Sequence, residues 1–242
     1  MIICRIHPIE EAVRSRPREI EWVLFDSARH DRRINALKTL CRGARVPVRY
    51  ADRAALERLG GARHQGVLAR VAVRAYLPEE TALGGPPGAR LLIVLDGVQD
   101  PQNLGAVVRV ADALGAAVVL PERGSAPLSE AVSRSSAGAV ERVSIVRVGN
   151  LRRFLDRLKG EGFRVVGLDP EGSDIFLLDL SGDLALVLGA EGRGLRRLVR
   201  EGCDQLARLP MRGAVASLNV AAAAAVAGYE AIRQRRSRNA LD

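Results

Sequence analysis

From residue 91 onwards, short apolar runs alternate with stretches of helical periodicity, and this alternation limits the possible folds more than any other feature. The apolar runs, rich in Val, Leu and Ile, lie at 91–95, 116–120, 143–148, 163–168, 184–188 and 205–209. Helical stretches lie at 101–114, 127–139, 150–159, 194–201 and 217–235. Strands that are apolar throughout are buried on both faces, so the pattern predicts an α/β fold with a helix-covered parallel sheet. Ligands of such sheets bind beyond the carboxyl ends of the strands.

The first 72 residues predict a separate, smaller α/β domain. Helices are expected at 7–15, at 31–43 and from Asp52 to Leu59, and strands at 20–25, 46–50 and 67–73. The middle helix places Ile34, Leu37, Leu40 and Cys41 on one side. A stretch rich in Gly and Pro follows, and these residues favour neither a helix nor the hydrogen-bonded ladder of a β-strand. We therefore divide the chain into domain 1–73, linker 74–89 and domain 90–242.

Positive charge is concentrated in this first domain. The whole chain has 37 basic and 28 acidic side chains, a net charge of +9, and residues 1–72 contribute 15 basic and 8 acidic side chains, a net charge of +7. A compact basic domain is typical of a nucleic-acid binder, although a merely solvated basic surface is the alternative. We predict phosphate contacts from six arginines: Arg14, Arg16, Arg18, Arg32, Arg33 and Arg45.

Other classes of protein are disfavoured. The longest uncharged stretch, Gly213 to Tyr229, is shorter than the roughly 20 apolar residues that a membrane span needs. Charged residues interrupt the N-terminus before a signal-peptide core develops, so a cytoplasmic location is expected. The three cysteines and three histidines lack metal-ligand spacing, so we expect no metal and reduced thiols.

Three segments that follow strands contain candidate site residues. In the first, Asp100 is a plausible N-cap and Pro101 suits the first position of a helix. Helical side chains lean toward the N-terminus, so Arg109 is expected to reach back over Gly105 toward the strand ends. A surface ion pair between Arg109 and Asp112 is the alternative.

The second segment, 188–194, is a glycine-rich loop, and the third, 209–220, leads into the last helix. The loop matches neither the nucleotide P-loop nor the dinucleotide fingerprint, which disfavours nucleoside triphosphates and nicotinamide oxidoreductases. Glu191 in this loop is a candidate base or anchor, although a solvated carboxylate is the commoner outcome. Ser217 is a plausible N-cap for the last helix.

Together these segments resemble the three motifs of the SpoU, or TrmH-like, branch of the SPOUT methyltransferase superfamily. The matching residues are Asn103 to Gly105 with Arg109, then 188–194, then Leu209 to Met211 with 217–220. The first domain, with His7 to Ala12 and His64 to Val67, is similar to the ribosomal-protein-like substrate-binding domain of the subgroup that methylates a guanosine of 23S ribosomal RNA. The chain departs from the family at two places. In the first domain it has Arg5-Ile6-His7, where a Gly usually precedes the His, and in the second domain it has Ala221, where a Ser is common.

The resemblance implies a homodimer that transfers a methyl group from S-adenosyl-L-methionine to a ribose 2′-hydroxyl of RNA. It also implies a trefoil knot, which periodicity does not predict, since chains are normally un-knotted. The implied catalytic residues are Asn103, Arg109, Glu191, Ser217 and Asn219. The implied cofactor contacts are Leu168, Gly189, Leu209, Met211 and Leu218.

Two alternatives to this function remain open. One is a 2′-O-methyltransferase that acts on transfer RNA or on another ribosomal RNA nucleotide. The other is a catalytically silent RNA-binding protein of ribosome assembly, which cofactor binding would contradict. Since arginine stays protonated in proteins, we expect Arg109 to stabilise negative charge, with Glu191 or a water accepting the proton.

Overall fold

The chain folds into two compact units, seen in a computed structural model that describes residues 1–62 and 64–239. The first unit combines Met1–Ala75 with Pro127–Arg142. The second combines Tyr76–Ala126 with the chain from Val143 onwards. Within the described residues, each unit has its own sheet, of four strands in the first and six in the second.

The sheet of the first unit is mixed, with strand order β1-β4-β2-β3. Its strands are β1 (Ile2–Cys4), β2 (Ile20–Asp26), β3 (Val48–Ala51) and β4 (Val67–Val71). β2 and β3 are parallel, whereas β4 is antiparallel to both β1 and β2. The three strands expected from sequence are confirmed, and the short edge strand β1 is an addition.

Three helices pack on this sheet: α1 (Ile6–Ser15), α2 (Arg32–Gly43) and α3 (Arg53–Gly60). The Asp31 carboxylate caps α2 by accepting the N–H groups of Arg33 and Ile34, and Asp52 caps α3 as predicted. Ile34, Leu37 and Cys41 of α2 are fully buried beside Phe25 in the core. The capped N–H groups at its start and its buried apolar face therefore hold α2 against the sheet.

Residues 127–142 belong to the first unit, whereas the sequence placed them in the second domain. They form α5 (Glu130–Ser135), where a longer helix over 127–139 was expected, and a 3₁₀ helix (Ala139–Glu141). One of the contacts that hold them there is a buried ion pair, since Arg16 Nε lies 2.5 Å from Glu141 Oε2 and their side chains are only 9% and 0% exposed. Arg16 is thus paired inside the first unit, which disfavours a contact with an RNA phosphate, and its predicted role remains a prediction.

The second unit contains a wholly parallel sheet of order β10-β8-β9-β5-β6-β7, which confirms the predicted parallel α/β fold. Its strands are β5 (Leu91–Asp96), β6 (Ala117–Pro121), β7 (Ile145–Val148), β8 (Arg164–Asp174), β9 (Leu184–Gly189) and β10 (Gln205–Arg208). β5 and β9 stay in register to their ends, where Leu95 faces Leu188 and Asp96 faces Gly189. The loops that follow these two strands therefore start side by side.

The helices of the second unit cover both sheet faces. They are α4 (Pro101–Leu114), α6 (Leu151–Gly160), α7 (Arg197–Arg200) and α8 (Val220–Asn239). α4 packs against α8, and α6 packs against α7. Leu92 and Val94 of β5 join the cluster under α6 and α7, while Ile93 and Leu95 point the other way and are equally buried. Alternating strand residues are thus buried on both sides.

Several element bounds differ from the sequence expectation. β8 extends to Asp174 instead of ending at 168, and α7 is a single turn instead of a helix over 194–201. α8 begins at Val220 rather than at Ser217. The expected linker contains a 3₁₀ helix (Glu79–Leu83), and Leu77 bridges to Val146. Among the described residues, no helix is both long and apolar enough for a membrane span, and no group of three metal-binding side chains is found.

Candidate cofactor and catalytic site

A five-residue excursion interrupts the pairing of β8 with β10. Leu206 pairs with Gly167, but the next residue, Ala207, pairs with Ser173, so residues 168–172 bulge out of the ladder. Gly172 permits the close approach of the two strands, because a Cβ there would lie 2.4 Å from the carbonyl carbon of Leu206. The excursion thereby presents residues 168–170 to a cavity at the strand ends.

Two ion pairs, both made by Arg200, hold this excursion in shape. Arg200 Nε lies 2.9 Å from Asp169 Oδ2, and Arg200 Nη2 lies 2.7 Å from Glu171 Oε2. Burial raises the pKa of Asp169, but the hydrogen bonds from Arg200 and from the Glu171 N–H outweigh it and hold that pKa below its usual value. Asp169 is therefore a carboxylate at neutral pH.

The glycine-rich loop after β9 folds back onto its own first residue. A Cβ on Gly189 would lie 2.1 Å from the carbonyl carbon of Gly194, so only glycine fits here. The Gly194 N–H donates to the Ala190 carbonyl at 2.9 Å, and both Gly192 and Gly194 have positive φ. The result is a tight backbone hairpin that carries Glu191. Because Gly189 has no side chain, the backbone is exposed at this point of the cavity wall.

The third segment runs between β10 and α8 and contributes apolar side chains. Met211, Val215 and Leu218 are 38%, 66% and 40% exposed, which is high for large apolar residues. Asn219, not Ser217, caps α8, because its Oδ1 accepts the Ala221 N–H at 2.9 Å. The predicted capping role of Ser217 is therefore wrong, although Ser217 lines the cavity.

The excursion at 168–172, the glycine-rich loop and the segment between β10 and α8 line a cavity of about 760 Å³. All five residues expected to contact the cofactor line it: Leu168, Gly189, Leu209, Met211 and Leu218. The volume lies within the range of small-molecule sites. The apolar side chains of the lining suit an adenine ring, and the exposed backbone of the loops can form hydrogen bonds with the polar edges of that ring. The carboxylates of Asp169 and Glu191 suit a ligand that carries positive charge. These residues fit S-adenosylmethionine, and their individual contacts to it remain predictions.

Polar side chains from all three segments meet at Asn219. Its Nδ2 donates to Asn103 Oδ1 at 2.8 Å and to Glu191 Oε1 at 2.9 Å. Asn103 sits in the first turn of α4, which begins as predicted with Asp100 as N-cap and Pro101 next to it. Three of the five expected catalytic residues are thus joined by hydrogen bonds from Asn219.

The structure does not bring Arg109 into this cluster. Arg109 is exposed on α4, and among the described residues the cavity lining does not include it. Its predicted contribution to catalysis, like that of Ser217, remains a prediction. An exposed guanidinium is free to meet a polyanion that arrives from solvent.

The sequence motifs do not single out one anchoring residue, Asp96, at the end of β5. It is 1% exposed; its Oδ2 accepts the Arg196 backbone N–H at 2.8 Å, and its Oδ1 accepts from Arg196 Nε at 2.6 Å. These bonds tie the end of the glycine-rich loop to the central strand. A carboxylate that closes a buried apolar strand was a usable signal, because such a group requires donors.

The sheet, its helices and the cavity beyond its carboxyl ends define an α/β enzyme that binds a nucleoside-type cofactor without a phosphate-binding loop. The sequence profile of the SpoU rRNA methylase family matches residues 90–229, and that of the RNA 2′-O ribose methyltransferase substrate-binding domain matches residues 2–77. The chain belongs to the SpoU rRNA methylase family and is an S-adenosylmethionine-dependent RNA 2′-O-methyltransferase.

Known proteins resemble the chain over almost its full length. The 23S rRNA (guanosine-2'-O-)-methyltransferase RlmB of Pseudomonas aeruginosa is 43% identical over 235 residues, covering 95% of each chain. A Burkholderia protein of the same name is 45% identical over 237 residues, covering 96% of each. The crystal structure of the SpoU methyltransferase AviRb from Streptomyces viridochromogenes in complex with AdoMet is 28% identical, with a TM-score of 0.83, and the match covers 98% of this chain and 91% of that one.

Proposed function

We propose that this chain methylates the ribose 2′-hydroxyl of a guanosine in 23S ribosomal RNA. The observation that carries the proposal is the hydrogen-bonded cluster of Asn103, Glu191 and Asn219, one residue from each motif, beside a cavity that fits the cofactor. Support for the nucleotide comes from the two relatives that bear this activity in their names and match the chain from end to end.

When bound, S-adenosylmethionine supplies a methyl group already activated by its sulfonium, so the protein has two tasks. One is to hold the ribose oxygen in line with the methyl carbon, which the closely packed loops at 168–172 and 189–194 support. The other is to take the hydroxyl proton as the oxygen attacks. The methyl group itself needs no further activation by the chain.

Glu191 is the proposed proton acceptor, directly or through a water. Asn219 donates to Oε1 of Glu191, which orients the carboxylate and leaves Oε2 for the proton. Asn219 is in turn fixed by its bonds to Asn103 and to the start of α8. The proposal assigns Arg109 to the RNA phosphate beside the reacting ribose, where its positive charge stabilises the developing alkoxide.

The proposal includes a homodimer, a trefoil knot and a cytoplasmic location. The large apolar side chains exposed on the segment between β10 and α8, Met211, Val215 and Leu218, support a second subunit that covers them. The resemblance to the family supports the knot, with the chain threaded so that the three cavity loops come together. A ribosomal RNA substrate supports a cytoplasmic location for the protein.

Mapping of ribose methylation across total RNA, from cells with and without the gene, tests the substrate. Loss of methylation at one guanosine of 23S ribosomal RNA is the expected result. Loss at a transfer RNA, or at another ribosomal nucleotide, would assign the chain to the alternative substrate class. An unchanged map, together with no calorimetric binding of S-adenosylmethionine, would identify a catalytically silent RNA-binding protein.

A further inference from the structure

The first unit contains a second cavity that the proposed reaction does not use. Its volume is about 520 Å³, and it lies between the start of α1, the end of β2 and the turn before β4. Its walls are mostly polar or charged, and its described lining residues are Arg5, Asp26, Arg29, Arg53, Ala62, His64, Gln65 and Gly66.

A buried imidazole with an unpaired nitrogen lies in the wall. His64 is only 4% exposed, and its Nδ1 accepts the Gly66 N–H at 2.9 Å. Since Nδ1 accepts, a neutral His64 carries its proton on Nε2, and among the described residues this buried Nε2 has no hydrogen-bond partner. The buried Nε of Arg5, in the same wall, also lacks one. Buried donors of this kind are rare unless something outside the chain satisfies them.

The backbone around the cavity is held in an unfavourable conformation. Arg5 and Gln65 both have positive φ, 78° and 53°, a region that residues other than glycine seldom adopt. The Gln65 side chain accepts the Ile6 N–H at 3.3 Å and so contacts the residue that follows Arg5. Strain maintained in this way is typical of ligand sites.

The charge of the lining favours an anion with hydrogen-bonding edges. Arg5, Arg29 and Arg53 face a single carboxylate, Asp26, which is 9% exposed. Arg29 is fixed by bonds to Asp31 and to the Gln65 carbonyl, while Arg53 reaches solvent and contacts only Glu57 on its own helix among the described residues. Guanidinium groups suit a phosphate, and a buried carboxylate beside an N–H donor suits the edge of a base.

We propose that this cavity binds one unpaired nucleotide of the RNA substrate, an inference that rests on the proposed function of the chain. Arg53 and Arg5 contact the phosphate, and His64 and Asp26 contact the base. The cavity thereby selects RNA that has a looped-out nucleotide, which a regular duplex does not offer. This site differs from the surface arginines predicted from sequence, because it is concave and includes two buried polar side chains, Asp26 and His64.

Two variants of the full-length protein test the site. Arg53→Gln removes an exposed charge from the lining, and Arg58→Gln is its control, because Arg58 is exposed on the same helix but outside the lining. His64→Asn removes the Nε2 donor and keeps an acceptor for the Gly66 N–H. Arg53→Gln keeps the test valid even if His64→Asn fails to fold.

Fluorescence anisotropy is measured with a labelled RNA hairpin that has unpaired guanosines in its loop, and with a blunt duplex of the same stem. We expect Arg53→Gln and His64→Asn each to weaken hairpin binding about tenfold, with duplex binding unchanged and Arg58→Gln like the wild type. Unchanged hairpin binding in both variants, or an equal loss for hairpin and duplex, would overturn the proposal.

Calorimetric titration with S-adenosylmethionine separates this proposal from the proposed function. If the wild type binds no cofactor, the proposed function fails. If the wild type binds the cofactor and methylates ribosomal RNA while the variants bind the hairpin normally, only the nucleotide site fails.

Discussion

Nδ2 of Asn219 lies 2.9 Å from Oε1 of Glu191, although 28 residues separate them in sequence. The same nitrogen lies 2.8 Å from Oδ1 of Asn103. One amide thus connects the start of the last helix, the glycine-rich loop and the first turn of α4. The positions of all three segments relative to the cavity depend on this side chain.

Asn219→Asp is expected to lower kcat about 100-fold, because it replaces the donor with a second carboxylate beside Glu191. The aspartate keeps the cap on α8, so the melting temperature should change little. Asn219→Ala should lose the cap as well, at about 1 kcal/mol of stability. Single-turnover methylation and thermal melting measure the two effects, and full activity in Asn219→Asp would exclude the positioning role.

Arg109→Lys is expected to reduce turnover at saturating RNA by at least about tenfold. Lysine keeps the charge but loses the planar arrangement of donors that matches a phosphate. Steady-state methylation of ribosomal RNA is the measurement, and S-adenosylmethionine affinity should stay unchanged because Arg109 does not line the described cavity. Nearly full turnover would show that the planar guanidinium is not required.

Gly189→Ala is expected to weaken cofactor binding by at least about tenfold. The new Cβ would lie 2.1 Å from the Gly194 backbone, so the hairpin of the loop has to open. Gly213→Ala is the matched control, since a Cβ there meets nothing within 4 Å. Calorimetric titration with S-adenosylmethionine compares the variants, and equal affinities would mean that the closed loop is unnecessary for binding.

Asp96→Asn is expected to reduce the free energy of unfolding by about 1.5–3 kcal/mol, the range for hydrogen bonds to charged groups. An amide retains one acceptor but places an N–H group against the donors of Arg196. Urea denaturation measures the loss. A change within experimental error would show that the glycine-rich loop holds its place without this anchor.

Acid is expected to destabilise the second unit through Asp183. Burial raises the pKa of Asp183, but hydrogen bonds from the Arg90 side chain and from the N–H groups of Gly88 and Arg90 outweigh burial and hold that pKa below its usual value. A carboxyl with a lowered folded-state pKa stabilises the fold above its unfolded pKa, at about pH 4, and loses this contribution as the pH falls through the folded value.

Asp183→Asn should therefore be less stable than the wild type at pH 7, with the difference shrinking as the pH falls below about 4. Glu122→Gln, at an exposed position, is the control and should follow the wild-type curve. Melting temperatures across the acid range give the comparison. Parallel curves for Asp183→Asn and the wild type would contradict the assignment.

Local features of the fold were predictable from sequence, because local sequence determines them. The caps at Asp52 and Asp100 and the apolar strands of the parallel sheet are examples. The three-residue strand β1 is too short to give a periodic signal. The excursion of β8 at 168–172 was not predictable, since it depends on how Gly172 meets Leu206 of a distant strand.

The candidate site was predictable as a set of residues but not as a geometry. The motifs single out Asn103, Glu191 and Asn219, yet their spacing does not show that one amide joins them. Likewise, the sequence around Arg16 does not distinguish it from a surface arginine, because its ion pair with Glu141 joins residues that are far apart in the chain. Contacts between distant segments decide these cases, and neither composition nor periodicity encodes them.

The ion pair between Arg16 and Glu141 also bears on where the protein can be divided. A fragment that ends at the apparent linker would lose Glu141 and leave Arg16 paired with Glu19 alone, so we expect it to be less stable than the intact first unit. The region with the RNA-binding sequence signature therefore packs with a peptide from between β6 and β7 of the methyltransferase sequence. We expect a stable fragment of this unit to need both pieces of chain.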